Sequence, residues 1–374
     1  MDEPKVNILI AGGGTGGHLF PGIAIARAFL EKNPENRILF VGTDRPFEKN
    51  ILAEEGFDHL AIRASGIKGL GLFRKLKATF KIPGALVQSS KIIKDFNPDL
   101  IIGVGGYSSG PVALVGYLKG ITVVLQEQNI IPGVTNRILS RFATRIHVSF
   151  GESLDYFKIN KTLLTGNPVR QSILLAKERR DLTMENASEK FTVMVAGGSQ
   201  GAHNINMALI HAVEHLNEKG TWHFIHQTGV ADEAMVKNAY ERNGISAQVQ
   251  AFYNDMDRCY EKADLIVCRA GATSISEITV MGLAPILIPF PFATDDHQVK
   301  NAISLVKKGA AEMITEDSLN GSMLAQRMEF YRENKDERLM MAENSEVYGK
   351  PRAAWNIVDD CYELIKGQNE RPIG

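Results

Sequence analysis

Cysteine is scarce in this chain of 374 residues: three stand far apart, Cys259, Cys268 and Cys361. An odd, scattered set without CxxC or metal-ligand spacing argues against a disulfide framework and suggests a reducing compartment. Excess charge is also lacking. Lys and Arg number 42 against 43 Asp and Glu, and a formal net charge of −1 argues against general nucleic-acid binding. No uninterrupted apolar run approaches the ~18 residues needed to span a bilayer. The first residues, Met-Asp-Glu-Pro, show no basic region leading into an apolar one, so no signal peptide is expected. These absences describe a cytoplasmic globular protein, long enough for two domains that each bury a core.

What the chain does have is glycine, gathered into loops. The segment from Ala11 to Pro21 reads AGGGTGGHLFP and follows the apolar run VNILIA. Strand, glycine turn and helix start together suit an anion. Glycine admits a phosphate or sugar close to the backbone, and the helix N-terminus offers unpaired N–H groups. Pro21 is expected to open the helix. Further apolar strands at RILFV (37–41), LIIGV (100–104) and from Thr122 to Leu125 alternate with helical stretches, which predicts an α/β chain with parallel sheets. The pattern breaks at LTGNPVR (164–170), and the opening then repeats in part: FTVMVAGGSQGA (191–202) parallels NILIAGGGTGG (7–17). Strands follow at Trp222 to Gln227, Leu265 to Cys268 and Pro285 to Pro289, and a last helical segment runs from Ala353 to Lys366. Two Rossmann-like halves follow, with the domain boundary near Arg170, and folds of this kind bind ligands at the carboxyl ends of their strands.

Gly12-x-Gly14-x-x-Gly17 also fits a dinucleotide turn, with Asp44 after the second strand. The second glycine loop counts against this, because one dinucleotide does not need two. That second loop could still be a tight turn with no ligand. A third cluster, GVGGYSSGP (103–111), and QEQN (126–129) fall at the same edge; a polar loop capping the next helix would account for Asn129 more easily than for Glu127. In CRAGATSISE (268–277), Gly271 to Ser274 could present N–H groups to a phosphate, and Glu277 could accept from a ribose diol. A capping box of Thr273 or Ser274 with Glu277 is the plainer alternative. Arg170 suits a diphosphate, or a hinge salt bridge. His18 could be a general base or a structural hydrogen-bonding group. Asp255-Met256-Asp257 reads better as a helix cap than as a metal-holding DxD string.

In this order, GGTGGH (13–18), GGYSSG (105–110), EQN (127–129), GNPVR (166–170), GGSQGA (197–202), Ser276-Glu277 and DHQ (296–298) resemble the MurG-type glycosyltransferases of peptidoglycan synthesis over essentially the whole chain. The resemblance implies the GT-B fold, in which two Rossmann-like domains face across a cleft. It also implies inverting transfer of N-acetylglucosamine from UDP-N-acetylglucosamine to the muramoyl 4-hydroxyl of undecaprenyl-diphospho-N-acetylmuramoyl-pentapeptide (lipid I), giving lipid II. An acceptor and membrane-binding domain is expected at residues 1–169, with a final helix at about 352–374 packing back on it. A UDP-sugar domain is expected at 170–351.

By motif, Thr15, Gly16, Gly17 and Asn129 would contact the donor sugar, Arg170 and Ser199 the diphosphate, and Tyr253 the uracil through backbone atoms. Ala272, Thr273, Ser274, Ile275 and Ser276 would line the phosphate and ribose site, Glu277 would take the ribose hydroxyls, and Gln298 would reach the sugar. Gly13, Gly14, Gly105, Gly106 and Tyr107 would face the acceptor. His18 is the candidate base, with Glu127 in reserve. The family usually has His where Gln126 stands. No metal or other cofactor is expected. An epimerase acting on UDP-N-acetylglucosamine would share the donor site but needs no lipid surface. The stretch from Lys68 to Lys94 holds seven Lys or Arg, no acid and interleaved Leu and Phe, which fits an anionic membrane surface better than a solvated helix. That would place the protein at the cytoplasmic face of the inner membrane.

Overall fold

The computed structural model describes residues 3–63, 82–183, 190–198 and 201–369. Ser199 and residues 68–81 of the basic stretch lie outside the described residues. The chain divides into two compact units, Met1–Arg170 with Pro351–Gly374, and Gln171–Lys350.

In the first unit, β1 (Asn7–Gly12), β2 (Arg37–Gly42), β3 (Asp58–Ala61), β4 (Leu100–Gly105), β5 (Thr122–Glu127), β6 (Arg145–Val148) and β7 (Thr162–Leu164) form one parallel sheet in the order β3-β2-β1-β4-β5-β6-β7. Helices cover both faces, so its central strands are apolar throughout rather than alternating. Ile8, Ile10 and Ile102 pack on one side, Leu9, Ala11 and Ile101 on the other. Each such Ile or Leu removed from water contributes roughly 1.5–3 kcal/mol. Chain order reverses between β1 and β4, and open α/β sheets place ligands at such a reversal.

The second unit repeats the plan. Its strands are β8 (Phe191–Ala196), β9 (Trp222–Gln227), β10 (Ser246–Gln250), β11 (Leu265–Cys268), β12 (Pro285–Leu287) and β13 (Glu312–Met313). They lie parallel in the order β10-β9-β8-β11-β12-β13, with the reversal between β8 and β11.

The first helix, α1 (Gly16–Lys32), starts five residues earlier than the proline suggested, so His18 belongs to its first turn and not to the loop. Thr15 is extended (φ −145°, ψ 161°), and the N–H groups of His18 and Leu19 already donate to its carbonyl. Pro21 lies inside the helix, and its missing N–H removes only a bond near the helix start. The last helix, α14 (Ala353–Asn369), the fourteenth α-helix among the described residues, belongs to the first unit. Tyr362 meets the Phe29 ring at 5.6 Å and accepts from Asn36 Nδ2 at 2.8 Å. Asp360 sits 3.0 Å from Arg145 Nε and 3.3 Å from His147 Nε2.

Candidate active site

In the first unit the glycine loops after β1 and β4 interlock. Gly12, Gly13, Gly14, Gly105 and Gly106 all have positive φ. A Cβ on Gly12 would lie 2.5 Å from the Gly105 carbonyl oxygen, and one on Gly106 would lie 2.6 Å from that of Gly13. Only glycine allows two backbones this close. The arrangement therefore brings Gly13, Gly14, Thr15, Gly16 and Gly17 beside Gly105, Gly106 and Tyr107. Thr15, Gly17 and Tyr107 are exposed.

A buried carboxylate that sequence reasoning missed holds the first loop. Glu48, in α2 (Pro46–Glu54), accepts from the Gly14 N–H and, at 2.8 and 2.6 Å, from the N–H and hydroxyl of Thr43. Its side chain is 1% exposed, and His59 lies 3.9 Å away. Burial lowers the His59 pKa, and the Glu48 charge partly offsets that. The signal available was a Glu three residues into a helix that follows a Gly-Thr turn.

His18 stands over Gly105, whose Cβ, were there one, would lie 2.9 Å from both Nδ1 and Cε1 of the ring. Nδ1 is 3.1 Å from Gln128 Oε1, and Gln128 Nε2 donates to the Val104 carbonyl at 2.7 Å and to Gln126 Oε1. Gln126 Nε2 in turn donates to Asn167 Oδ1 at 2.9 Å. A buried amide chain thus joins His18 to the GNPVR turn. Arg170, at the end of that turn, lays its guanidinium over the Phe20 ring at 4.5 Å.

Glu127 is buried and accepts hydrogen bonds on both carboxylate oxygens. Its residue is 2% exposed, and its oxygens accept from the N–H groups of Asn129 (3.0 Å) and Gly133 (3.1 Å) and from Asn136 Nδ2 (2.8 Å). Burial raises its pKa, and those hydrogen bonds oppose the rise. The carboxylate ties down the loop that carries Asn129, whose carbonyl also accepts from Ser153.

In the second unit, Gly198 and Gly201 have positive φ, and a Cβ on Gly201 would lie 2.2 Å from the Thr228 carbonyl oxygen. Gln227 joins this loop to the uracil candidate: its Nε2 donates to Gly198 O at 2.9 Å, and its Oε1 accepts from Tyr253 N at 3.0 Å. The Tyr253 side chain turns inward and donates to Gln248 O at 2.9 Å; burial raises its pKa.

Helix α10 (Ala272–Met281) begins with Gly271 at its N-cap and no side-chain cap, so Thr273 and Ser274 sit inside the helix and the alternative reading of a capping box does not hold. Ser276 Oγ donates to Ala272 O at 2.8 Å. Ala272, Ile275 and Glu277 are buried, and Thr273, Ser274 and Ser276 are partly exposed. Glu277 Oε2 accepts from Tyr260 OH at 3.3 Å. Gln298, in the first turn of α11 (His297–Val306), accepts from the Phe290 N–H at 2.9 Å and holds the PFPF turn. Asp295 and Asp296, just before it, adopt the left-handed region, a conformation that non-glycine residues keep where surroundings enforce it. Asp255 occupies the N-cap of α9 (Met256–Lys262) without a side-chain cap bond, and Asp257 pairs with Arg179 at 3.3 Å. Among the described residues no three His, Cys, Asp or Glu gather as metal ligands.

Residues 8–148 match the Glycosyltransferase family 28 N-terminal domain, and residues 192–357 the Glycosyltransferase family 28 C-terminal domain. A UDP-N-acetylglucosamine--N-acetylmuramyl-(pentapeptide) pyrophosphoryl-undecaprenol N-acetylglucosamine transferase of Syntrophus aciditrophicus is 47% identical over 362 residues, covering 96% of this chain and 99% of that protein. A protein of the same description from Myxococcus xanthus is 42% identical, covering 98% and 97%. The crystal structure of Acinetobacter baumannii MurG is similar with a TM-score of 0.76 at 29% identity, covering 97% and 100%. The UDP-GlcNAc 2-epimerase of Neisseria meningitidis shares the fold alone, at 12% identity and a TM-score of 0.69 over 96% and 100%. With both family domains in place and near-complete coverage of such relatives, the chain belongs to glycosyltransferase family 28 and, within it, to the MurG-type N-acetylglucosamine transferases.

Proposed function

We infer that this chain transfers N-acetylglucosamine from UDP-N-acetylglucosamine to the muramoyl 4-hydroxyl of undecaprenyl-diphospho-N-acetylmuramoyl-pentapeptide, making lipid II. One observation carries the placement of the chemistry: the His18 ring, seated on Gly105 and hydrogen-bonded to Gln128, at the start of α1 beside two glycine loops. The acceptor oxygen bonds to sugar C1 as the bond from C1 to the UDP oxygen breaks. The hydroxyl proton passes to His18, and the electron pair leaves with the diphosphate. A positioned base supplies roughly 10²–10⁴-fold of such a rate.

The donor nucleotide is assigned to the second unit. The Gly197 to Ala202 loop with Ser199 and the residues from Ala272 to Ser276 take the phosphates, Glu277 the ribose, the Tyr253 backbone the uracil, and Gln298 the sugar. Arg170 complements the leaving diphosphate; Thr15, Gly16, Gly17 and Asn129 face the sugar; and Gly13, Gly14, Gly105, Gly106 and Tyr107 face the acceptor. Fixed cationic and N–H groups can stabilise the leaving group without a metal. Glu127 serves as the brace of the Asn129 loop.

A membrane surface fits the lipid acceptor. No helix among the described residues is long and apolar enough to cross a bilayer. Within the Lys68 to Lys94 stretch the first unit exposes Val87, Lys91 and Lys94, and the next two helices expose Tyr117, Leu118, Val134 and Ile138, with Lys119, Arg137 and Arg141 also exposed. Exposed apolar side chains together with Lys and Arg suit an anionic interface, at about 1 kcal/mol per cation near it. Peripheral attachment to the cytoplasmic face follows.

The test is labelled UDP-N-acetylglucosamine with a lipid I analogue. Glycosylated acceptor is expected, with turnover falling about 10²-fold or more in His18→Ala while donor KM stays within about twofold. UDP release without glycosylated acceptor, or an unchanged turnover in His18→Ala, overturns the reading.

A further inference from the structure

A neutral imidazole carries its proton on one of two nitrogens, and only the other can accept one. Which nitrogen of His18 lacks the proton is decided three residues away from the chemistry. The Val104 carbonyl can only accept, so the Gln128 group lying 2.7 Å from it is the NH2 end. The same NH2 faces Gln126 Oε1, which is fixed as an oxygen because the Gln126 NH2 points at Asn167 Oδ1, 2.9 Å away, and at Ser149 Oγ. Ser149 Oγ spends its own proton on the Glu127 carbonyl at 2.8 Å and therefore accepts. Gln128 Oε1 must then face His18, and a carbonyl oxygen 3.1 Å from Nδ1 requires Nδ1 to hold the proton.

We propose that Gln128 is a positioning residue that locks His18 as the Nδ1–H tautomer and so presents Nε2 as the proton-accepting atom, with Gln126 and Asn167 holding the Gln128 amide in register. The proposal rests on the reading of His18 as the base. Gln128 is 2% exposed and Gln126 and Asn167 are 2% exposed or less, so water does not compete for these bonds. The chain also gives Gln126 a defined place between Asn167 and Gln128. A glutamine offers an acceptor on one side and a donor on the other, as a neutral imidazole does, and it cannot charge.

The test is the tautomer itself, read from two-bond proton–nitrogen correlations in the full-length protein labelled with 15N-histidine. The His18 signals are assigned by their loss in His18→Ala. A pyrrole-type Nδ1 and a pyridine-type Nε2 are expected above the titration of the ring; the reverse pattern overturns the proposal. Gln128→Met, similar in length and without an acceptor oxygen for Nδ1–H, should shift His18 toward Nε2–H. It should also lower kcat about 10- to 100-fold, part of what a positioned base contributes, with donor KM within about twofold. An unchanged tautomer or an unchanged kcat in Gln128→Met overturns the clamp. Should that variant fail to fold, the spectrum of the unaltered protein decides alone. His18→Ala separates the two claims. Full turnover there overturns the base and with it the catalytic role of the clamp, whereas an Nε2–H spectrum beside a crippled His18→Ala overturns the clamp alone.

Discussion

His18 and Gly105 touch so closely that one added carbon would force them apart: a Cβ on Gly105 would stand 2.9 Å from the ring's Nδ1 and Cε1. The φ of Gly105, 96°, is also one that side chains resist. Gly105→Ala is therefore expected to displace the imidazole. A misplacement of about 1 Å costs on the order of 10²-fold in turnover. UDP affinity, assigned to the other unit, should be unchanged by calorimetry. A Gly105→Ala enzyme with normal kcat would show that the ring's seat on this loop does not matter.

Glu48 supports the neighbouring loop, the one after β1, through bonds to Gly14 and Thr43. In Glu48→Gln the amide NH2 replaces one acceptor oxygen and meets N–H or O–H groups that donate. Leaving such buried donors unmet costs about 1–3 kcal/mol. The expected result is a lower thermal midpoint together with reduced turnover. Equal midpoints for the two proteins would mean that the loop stands without this carboxylate.

Glu277 is buried, and its Oε2 takes a hydrogen bond from Tyr260 at 3.3 Å, which fixes the carboxylate in the middle of α10. A hydrogen bond from a ligand hydroxyl to a carboxylate is worth about 1.5–3 kcal/mol. Glu277→Ala is thus expected to weaken UDP binding by roughly 10- to 100-fold, measured by titration calorimetry. Undiminished affinity would remove Glu277 from the nucleotide site.

Much of this was legible in the residues, because parallel strands buried on both faces are continuous apolar runs. The bounds of β8 and β11 fall where the apolar letters do. What stayed hidden was of two kinds. Edge strands such as β3, DHLA, and β10, SAQVQ, are short and largely polar because one side meets water, so they carry no apolar run. Polar side chains that act over distance gave no local signal either. Glu48 looks like a surface helix residue until the fold brings Gly14 to it from 34 positions away, and Gln128 is an ordinary amide until it meets a histidine 110 positions away. The start of α1 was misplaced for a related reason. Pro21 is a helix-start signal, but the extended Thr15 and the glycines after it begin the helix first.

The second unit carries a pH dependence that can be worked out in sign. His226, in β9, is wholly buried, with Nε2 3.0 Å from Asn206 Oδ1 and Nδ1 3.2 Å from Tyr240 OH. Burial lowers its pKa to about 3, against the smaller opposing effect of Asp232. The unfolded chain, with an ordinary histidine near 6.5, takes up the proton first as pH falls. Protonation therefore favours unfolding. The stabilisation from the neutral buried ring is complete above about pH 6.5 and is lost progressively between there and about pH 3. At about 1.4 kcal/mol per pH unit, this one group removes roughly 3 kcal/mol by pH 4.5. His226→Gln keeps a polar partner for Asn206 but cannot titrate. Urea unfolding of both proteins at pH 7 and pH 4.5 is expected to show a smaller acid loss in the variant, even where the variant is less stable at pH 7. Parallel losses in the two proteins would place the acid sensitivity elsewhere.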